Sequence, residues 1–178
     1  MYFCYFDGEF DLIKERQESM FSHLQQEIEL VDKEINLIIN LRNDILINYN
    51  LLRSIPGIGK VLAVYLIALT HNFTCFDNPR KFACYAGIAP FEYSSGTSVM
   101  VKTKVHPYAN KHIKSLLNMA ATASIQINGE YKMYYQRRLA EGRNKLSTLN
   151  IVRNKLVFRA FAIVKRGSPY IDLHKFAA

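Results

Sequence analysis

The stretch Ser54-Ile55-Pro56-Gly57-Ile58-Gly59-Lys60 has the residue types that hold a phosphate, and an apolar run from Val61 to Leu69 follows it. Pro56 ends one helix, and the two glycines leave no side chain between backbone amides and an incoming anion, so the pattern reads as a helix-hairpin-helix. Both Gly57 and Gly59 are expected to use positive φ. A phosphate oxygen would then meet the amides at the start of the next helix, where the macrodipole favours an anion and Lys60 adds a formal charge. Such contacts grip a nucleic-acid backbone without reading its sequence. The same residues would also serve as an ordinary glycine-rich turn between two core helices. The distribution of charge favours the first reading.

Residues 1–50 carry ten acidic side chains and four basic ones, whereas the rest of the chain carries nineteen basic and five acidic ones. The net charges are therefore −6 and +14. Positive charge concentrated on one part of a chain is the footprint of a polyanionic partner, because each neutralised phosphate releases counterions. A nucleic acid is the partner this implies. An acidic lipid surface would call for a basic amphipathic helix or a lipidation signal, and neither is present in the sequence.

A length of 178 residues with 49% hydrophobic content allows one real core plus an appendage. No apolar run is long enough to cross a bilayer, and the start, Met1-Tyr2-Phe3-Cys4-Tyr5-Phe6-Asp7, lacks the features of a secretory leader. No membrane partner is expected, and the expected location is the cytoplasm. Cys4, Cys75 and Cys84 have no C-x-x-C spacing and are expected to be small core residues.

The elements that must position the turn begin with a heptad seam, Phe21, Leu24, Ile28, Val31, Ile35, Ile38, Arg42 and Ile45. It predicts one long helix from about Asp11 to Ile47, with a single apolar stripe that needs a partner helix. That partner is the same helix in a second copy of the chain, the favoured reading, or an antiparallel helix in a part of the protein outside this sequence. After the turn, Asn78-Pro79 opens a short helix that Gly87 ends. Residues 88–105 then lack helical period and form a long connection, with room for a small β-hairpin around Tyr93 and Val99 to Lys104. Pro107 is read as opening a helix to about Ile127. Two more helices are expected, over about Glu130 to Ala140 and Ser147 to Lys165. The fold class is thus mainly α: a coiled-coil helix over residues 1–48, then a helical domain over 49–178 containing the helix-hairpin-helix.

Three runs in order carry a family resemblance: Leu51 to Lys60; Phe82-Ala83-Cys84-Tyr85-Ala86-Gly87-Ile88-Ala89-Pro90 with Phe91-Glu92-Tyr93-Ser94-Ser95-Gly96-Thr97-Ser98; and Ala109-Asn110-Lys111 ahead of Leu116-Leu117. Together they closely resemble the C-terminal transposase domain of the insertion-sequence one-ten family, the DEDD/serine transposases of bacterial mobile elements. The resemblance covers about Leu51 to Tyr170, and the preceding helix resembles the family's coiled-coil connector. It implies DNA transposition and recombination by strand cleavage and rejoining. A RuvC-like domain ahead of the coiled coil would hold divalent metal (magnesium) on four acidic residues, a serine of the C-terminal domain would be the nucleophile, and a structured noncoding RNA would be a further partner. The serine maps to Ser95, which directly precedes Gly96, with Ser94 as the alternate. This chain does not contain the acidic domain, so no metal or other cofactor is expected in it, and alone it should bind nucleic acid without cutting it.

Chemically, a serine hydroxyl in such a loop would attack a phosphodiester, release a 3′-hydroxyl and store the bond energy as a phosphoserine. Lys102 and Lys104 could offset phosphate charge. The residues expected to touch DNA are Pro56, Gly57, Ile58, Gly59 and Lys60 in the turn, Gly96, Lys102 and Lys104 in the loop, Asn110, Lys111 and Lys114 at the next helix, and Arg153 and Lys155 on the last one. The other reading makes the serines turn residues and the lysines a solvated face, leaving a non-catalytic helix-hairpin-helix nucleic-acid-binding protein. His106 and His112 are spaced wrongly to share a metal and are expected at the surface. Tyr131, Tyr134 and Tyr135 interleave with Lys132, Arg137 and Arg138, which suits either base stacking or a tyrosine core face.

Overall fold

With no proline or glycine between Glu9 and Ser54, the N-terminal segment can remain helical, and it does so with one interruption. In the computed structural model, which describes residues 6–89, 91–95, 99–104 and 109–172, helix α1 spans Phe6–Leu41 and α2 spans Asn43–Arg53. The single long helix expected from Asp11 to Ile47 is therefore two. The break falls at Arg42, the one polar position of the seam, and Asp44 provides a first-turn acid that favours a fresh start. The chain divides into two compact units, Met1–Asn43 and Asp44–Ala178.

In the first unit, α1 keeps its apolar seam in contact with solvent: Phe21, Leu24, Ile28, Val31 and Ile38 are all exposed. No helix among the described residues is long and apolar enough to cross a membrane.

The second unit continues from α2 through α3 (Lys60–Leu69), α4 (Pro79–Tyr85), strands β1 (Phe91–Ser95) and β2 (Val99–Lys104), and then α5 (Lys111–Gln126), α6 (Glu130–Ala140) and α7 (Lys145–Arg166). It is mainly helical. Helix α7 packs against α4, α5 and α6, while α5 also packs against α3. Leu52, Leu66, Phe82, Ile113, Leu117, Leu156 and Ile163 fill the space between them. Each such burial removes apolar surface from water and contributes roughly 1.5–3 kcal/mol.

Asparagines start three of these helices. The side chain of Asn78 accepts from the Lys81 amide, Asn110 from the His112 and Ile113 amides, and Asn144 from the Leu146 and Ser147 amides. Helix α5 thus begins at Lys111, later than a start at Pro107, which lies outside the described residues. Helix α7 ends at Gly167, whose φ of 69° only glycine adopts cheaply. The hairpin pairs its strands antiparallel, Ser94 opposite Met100 and Ser95 opposite Val99.

One connection has no glycine signal in the sequence. His71, Asn72 and Phe73, just after α3, all take positive φ (47°, 56° and 65°). Thr70 holds them: its buried hydroxyl donates to the Leu66 carbonyl at 2.6 Å and accepts from the Phe73 amide at 2.9 Å. The Asn72 side chain joins the turn to α2, donating to Asp44 at 3.1 Å and accepting from Asn48 at 2.8 Å. Cys75 in the same stretch is exposed and Cys84 half-buried, so neither is the core residue expected; Cys4 lies outside the described residues.

Candidate nucleic-acid interface

The Pro56-Gly57 turn is built on two buried isoleucines. Ile55 and Ile58 are almost fully covered, and the Ile58 amide donates to the Ile55 carbonyl at 3.1 Å. Proline at the first central position and Gly57 at the second, with φ of 90°, make this a type II turn. Gly57 is required twice over. A Cβ there would overlap the Ala120 carbonyl oxygen and lie 2.8 Å from Ser124 Cβ, so the turn backbone rests directly on α5. Ile58 belongs to the core and its side chain is withdrawn from any ligand.

Gly59 is different, and its expected positive φ is corrected. Its φ is −83° and ψ 175°, an extended conformation open to any residue, because the reversal is completed at Gly57. A Cβ at Gly59 would meet nothing within 4 Å, and no side chain caps α3 there. The first amides of a helix have no intrahelical acceptor. An exposed glycine at the start of α3 therefore gives an anion clear access to that end of the helix.

Ser54, just before the turn, is held on both sides. Its hydroxyl donates to the Leu51 carbonyl at 2.6 Å and accepts from the Tyr170 amide at 2.8 Å, which ties the segment after α7 to the hairpin.

Lys111 and Lys114 are not beside the turn. Gly57 meets Ala120 and Ser124 late in α5, whereas Tyr65 in α3 lies against His112 early in α5, ring centroids 4.9 Å apart. The two helices thus run antiparallel. Nine residues of α5, from Lys111 to Ala120, separate Lys111 from the part of the helix that the turn touches by roughly 14 Å, about four base-pair rises along a duplex. Lys111 is exposed and Lys114 half-buried. Asn110 is engaged as the α5 cap, and its amide group also donates to the Tyr85 hydroxyl at 3.0 Å. His112 is at the surface, as read from the sequence; His106 lies outside the described residues.

The hairpin carrying Ser94, Ser95, Lys102 and Lys104 leaves the helical body after Ile88, whose carbonyl accepts from the side chains of Asn150 and Asn154 at 2.9 and 3.0 Å. Gly96 lies outside the described residues. Neither asparagine stands out in the sequence: one helical turn apart on a helix, they look like ordinary surface polar residues.

Two α7 cations, Lys155 and Arg159, turn toward α6. Arg159 donates to both carboxylate oxygens of Glu130 at 3.0 and 2.7 Å, and Lys155 lies 3.9 Å from Glu130 and 4.1 Å above the Tyr134 ring. Arg137 and Arg138 approach the same ring at 5.6 and 6.0 Å, beside a cavity of about 300 Å³ lined by Glu130, Met133, Tyr134, Arg137 and Lys155. Arg153 is half-buried, and desolvation lowers its pKa. The tyrosines divide: Tyr131 is core, while Tyr134 and Tyr135 are partly accessible. Burial pushes the Tyr131 hydroxyl up to about 12. The Arg159 guanidinium opposes that shift from nearby without reaching hydrogen-bonding geometry.

Residues 49–136, from the end of α2 into α6, match the family described as Transposase IS116/IS110/IS902. The chain is a member of that family. It is 24% identical over 159 residues to the pilin gene-inverting proteins of Moraxella lacunata and Moraxella bovis, covering 89% of itself and 49% of each of them. It is 29% identical over 119 residues to a 43.6 kDa protein of insertion element IS110 from Streptomyces coelicolor, covering 67% of itself and 29% of that relative. The chain spans about half the length of the first two. Within the family match fall the type II turn, the hairpin and the start of α5; α7, with Arg153 and Lys155, lies beyond it.

Among the described residues, no group of three or more His, Cys, Asp or Glu side chains could hold a metal ion. Asp77 is paired with Lys81, Glu130 with Arg159, and Glu141 with Arg138. These acids do not fit a two-metal centre.

Proposed function

We propose that this chain is the part of an IS110-family transposase that holds DNA and supplies the serine nucleophile, acting in DNA recombination with an acidic RuvC-like domain. Residues 1–48 serve as a coiled-coil connector and 49–178 as the transposase domain. The observation that carries the reading is the open Gly59 at the start of α3, preceded by a turn that cannot accept a side chain at Gly57 and set in a region with nineteen cations against five acids. The name of the Moraxella relatives, gene-inverting proteins, describes a rearrangement in which strands are cut and rejoined, and supports the same chemistry here.

In that chemistry Ser95, or Ser94 in its place, loses its proton to a base as Oγ bonds to a DNA phosphorus. The 3′ oxygen departs and leaves as a 3′-hydroxyl. Attack of another strand's 3′-hydroxyl on the phosphoserine reverses the exchange, returns the proton and regenerates serine. No nucleotide triphosphate is consumed. Lys102 and Lys104 share the serines' hairpin and suit the phosphate charge, while Lys60 opens α3 and Lys111 and Lys114 stand in the first turn of α5, where they would add further phosphate contacts. The metal would come with the acidic domain. A second copy of the chain paired through α1, and a structured RNA, complete the partners; the cytoplasm is where such an assembly meets chromosomal DNA.

The test is a covalent adduct. With the RuvC-like domain, magnesium and a labelled DNA end, wild-type chain should become attached to DNA while Ser95→Ala does not. An adduct of unchanged yield in the Ser94→Ala, Ser95→Ala double variant would leave only the non-catalytic nucleic-acid-binding function. Loss of duplex binding at low salt in neither Gly59 nor Lys60 variants would remove the hairpin from the interface.

A further inference from the structure

Two amide side chains converge on one backbone carbonyl in the interior of the second unit. Asn150 and Asn154 stand one turn apart on α7, and both donate through Nδ2 to the Ile88 carbonyl, at 2.9 and 3.0 Å. Asn154 donates also to the Asn150 carbonyl at 2.9 Å. A carbonyl oxygen has two lone pairs, so both of its acceptor positions are filled by side chains more than sixty residues away in sequence. Asparagine is a poor residue for the middle of a helix, because its side chain competes for backbone partners. Two of them on one half-buried face weaken α7 locally, and the Ile88 contact is what they offer in return.

The rest of Ile88 is fixed as firmly. Its amide donates to the Ala83 carbonyl at 3.0 Å, as does that of Ala89 at 3.2 Å, and its side chain is fully buried. Strand β1 starts three residues later, at Phe91. At the other root, the Asn110 amide donates to the Tyr85 carbonyl at 3.0 Å, and the Asn110 side chain donates to the Tyr85 hydroxyl at 3.0 Å. Both ends of the segment that contains the hairpin are therefore tied to helices, one to α7 and one to α4. Backbone hydrogen bonds close to the α4 end would suffice to make a turn. The pair on α7 adds something a turn does not need, a fixed location relative to the helix at the centre of the domain.

We propose that Asn150 and Asn154 are positioning residues for strand joining: from α7 they hold the root of the β1–β2 hairpin and so fix where Ser94 and Ser95 meet DNA. This rests on the reading in which a hairpin serine is the nucleophile. The asparagines touch no reacting atom. Their part is to keep a short two-stranded ribbon, which has little core of its own, from swinging about its root, since a nucleophile misplaced by about 1 Å loses on the order of 100-fold in rate.

Two measurements separate anchoring from chemistry. The N150L/N154L variant keeps side-chain bulk and removes both donors. Hydrogen–deuterium exchange in peptides covering β1 and β2 should quicken about tenfold, with the α3 and α5 peptides unchanged. N150L and N154L singly each keep one donor and should fall between; they carry the same test if the double variant loses its helical circular dichroism. Single-turnover adduct formation, with the RuvC-like domain and magnesium present, should slow about 100-fold at unchanged DNA affinity. Hairpin exchange that stays at the wild-type rate in the folded variants overturns the anchoring, whatever the serines do. Faster exchange with an unchanged, serine-dependent adduct rate overturns the positioning role. An adduct that survives loss of both serines defeats the nucleophile assignment instead, and the exchange result still decides the anchor.

Discussion

Two glycines that look equivalent in sequence do opposite things at the residue scale. Gly57 is confined by its φ of 90° and by the Ala120 carbonyl, so Gly57→Ala should destabilise the domain by about 3 kcal/mol or more, read as a lowered urea midpoint. Gly59 is neither strained nor packed. Gly59→Asp supplies a cap and a negative charge to the start of α3, which should stabilise by roughly 0.5–1 kcal/mol, while the same carboxylate repels phosphate and weakens duplex binding about tenfold or more. A variant with a higher melting temperature and poorer DNA affinity is the signature; equal affinity would take the α3 terminus out of the interface. Tyr131 gives a pH test. Its hydroxyl is buried without a hydrogen-bond partner and its pKa is raised from 10.0 to about 12, so the neutral form is favoured in the folded state. Its contribution is fully present below pH 10 and is lost as pH rises through 12. Tyr131→Phe should be neutral or slightly stabilising at pH 7 and should flatten the alkaline fall in a melting-temperature profile between those values.

Elements show where sequence patterning reaches and where it stops. Periodicity and caps located α3 to α7 to within a few residues, since asparagine, proline and glycine act locally at helix ends. The division at Arg42 was visible only as a polar interruption of the seam. Strain was not legible at all: three consecutive non-glycine residues at positive φ, His71 to Phe73, are stabilised by Thr70, Asp44 and Asn48, and no local pattern announces partners 24 and 28 residues away. The same holds for the candidate site. Its turn was legible from P-G-I-G, but the grip of Asn150 and Asn154 on Ile88 is a contact between distant segments. Asn72 tests the strained connection. Asn72→Ala loses two side-chain hydrogen bonds and places alanine in the left-handed region, so it should cost about 2–3 kcal/mol. Asn72→Gly loses the bonds alone and should cost about 1 kcal/mol less, a difference measurable by denaturant titration. Equal losses would mean that backbone strain there is negligible.

At the scale of the whole molecule, charge and apolar surface are divided between the two units. The acidic first unit has an exposed seam on α1, and the nineteen cations of residues 51–178 leave the second strongly basic. Repulsion from its own acids makes α1 an unsuitable DNA contact, and under the proposed function its part is to join copies of the chain. If it pairs through Ile28 and Ile35, charging both should yield monomer by sedimentation without changing the melting of the second unit. The consequence for DNA then depends on how many sites one duplex offers. A duplex with one binding site should be held by the Ile28→Asp, Ile35→Asp variant as well as by wild type, with the same dependence on salt, because the phosphate contacts of a single copy are intact. A duplex with two sites should lose roughly 100-fold, since the second contact is no longer made at the high effective concentration that linkage provides. Equal weakening on both duplexes would place α1 in the DNA interface itself, and no weakening on either would show that copies act singly.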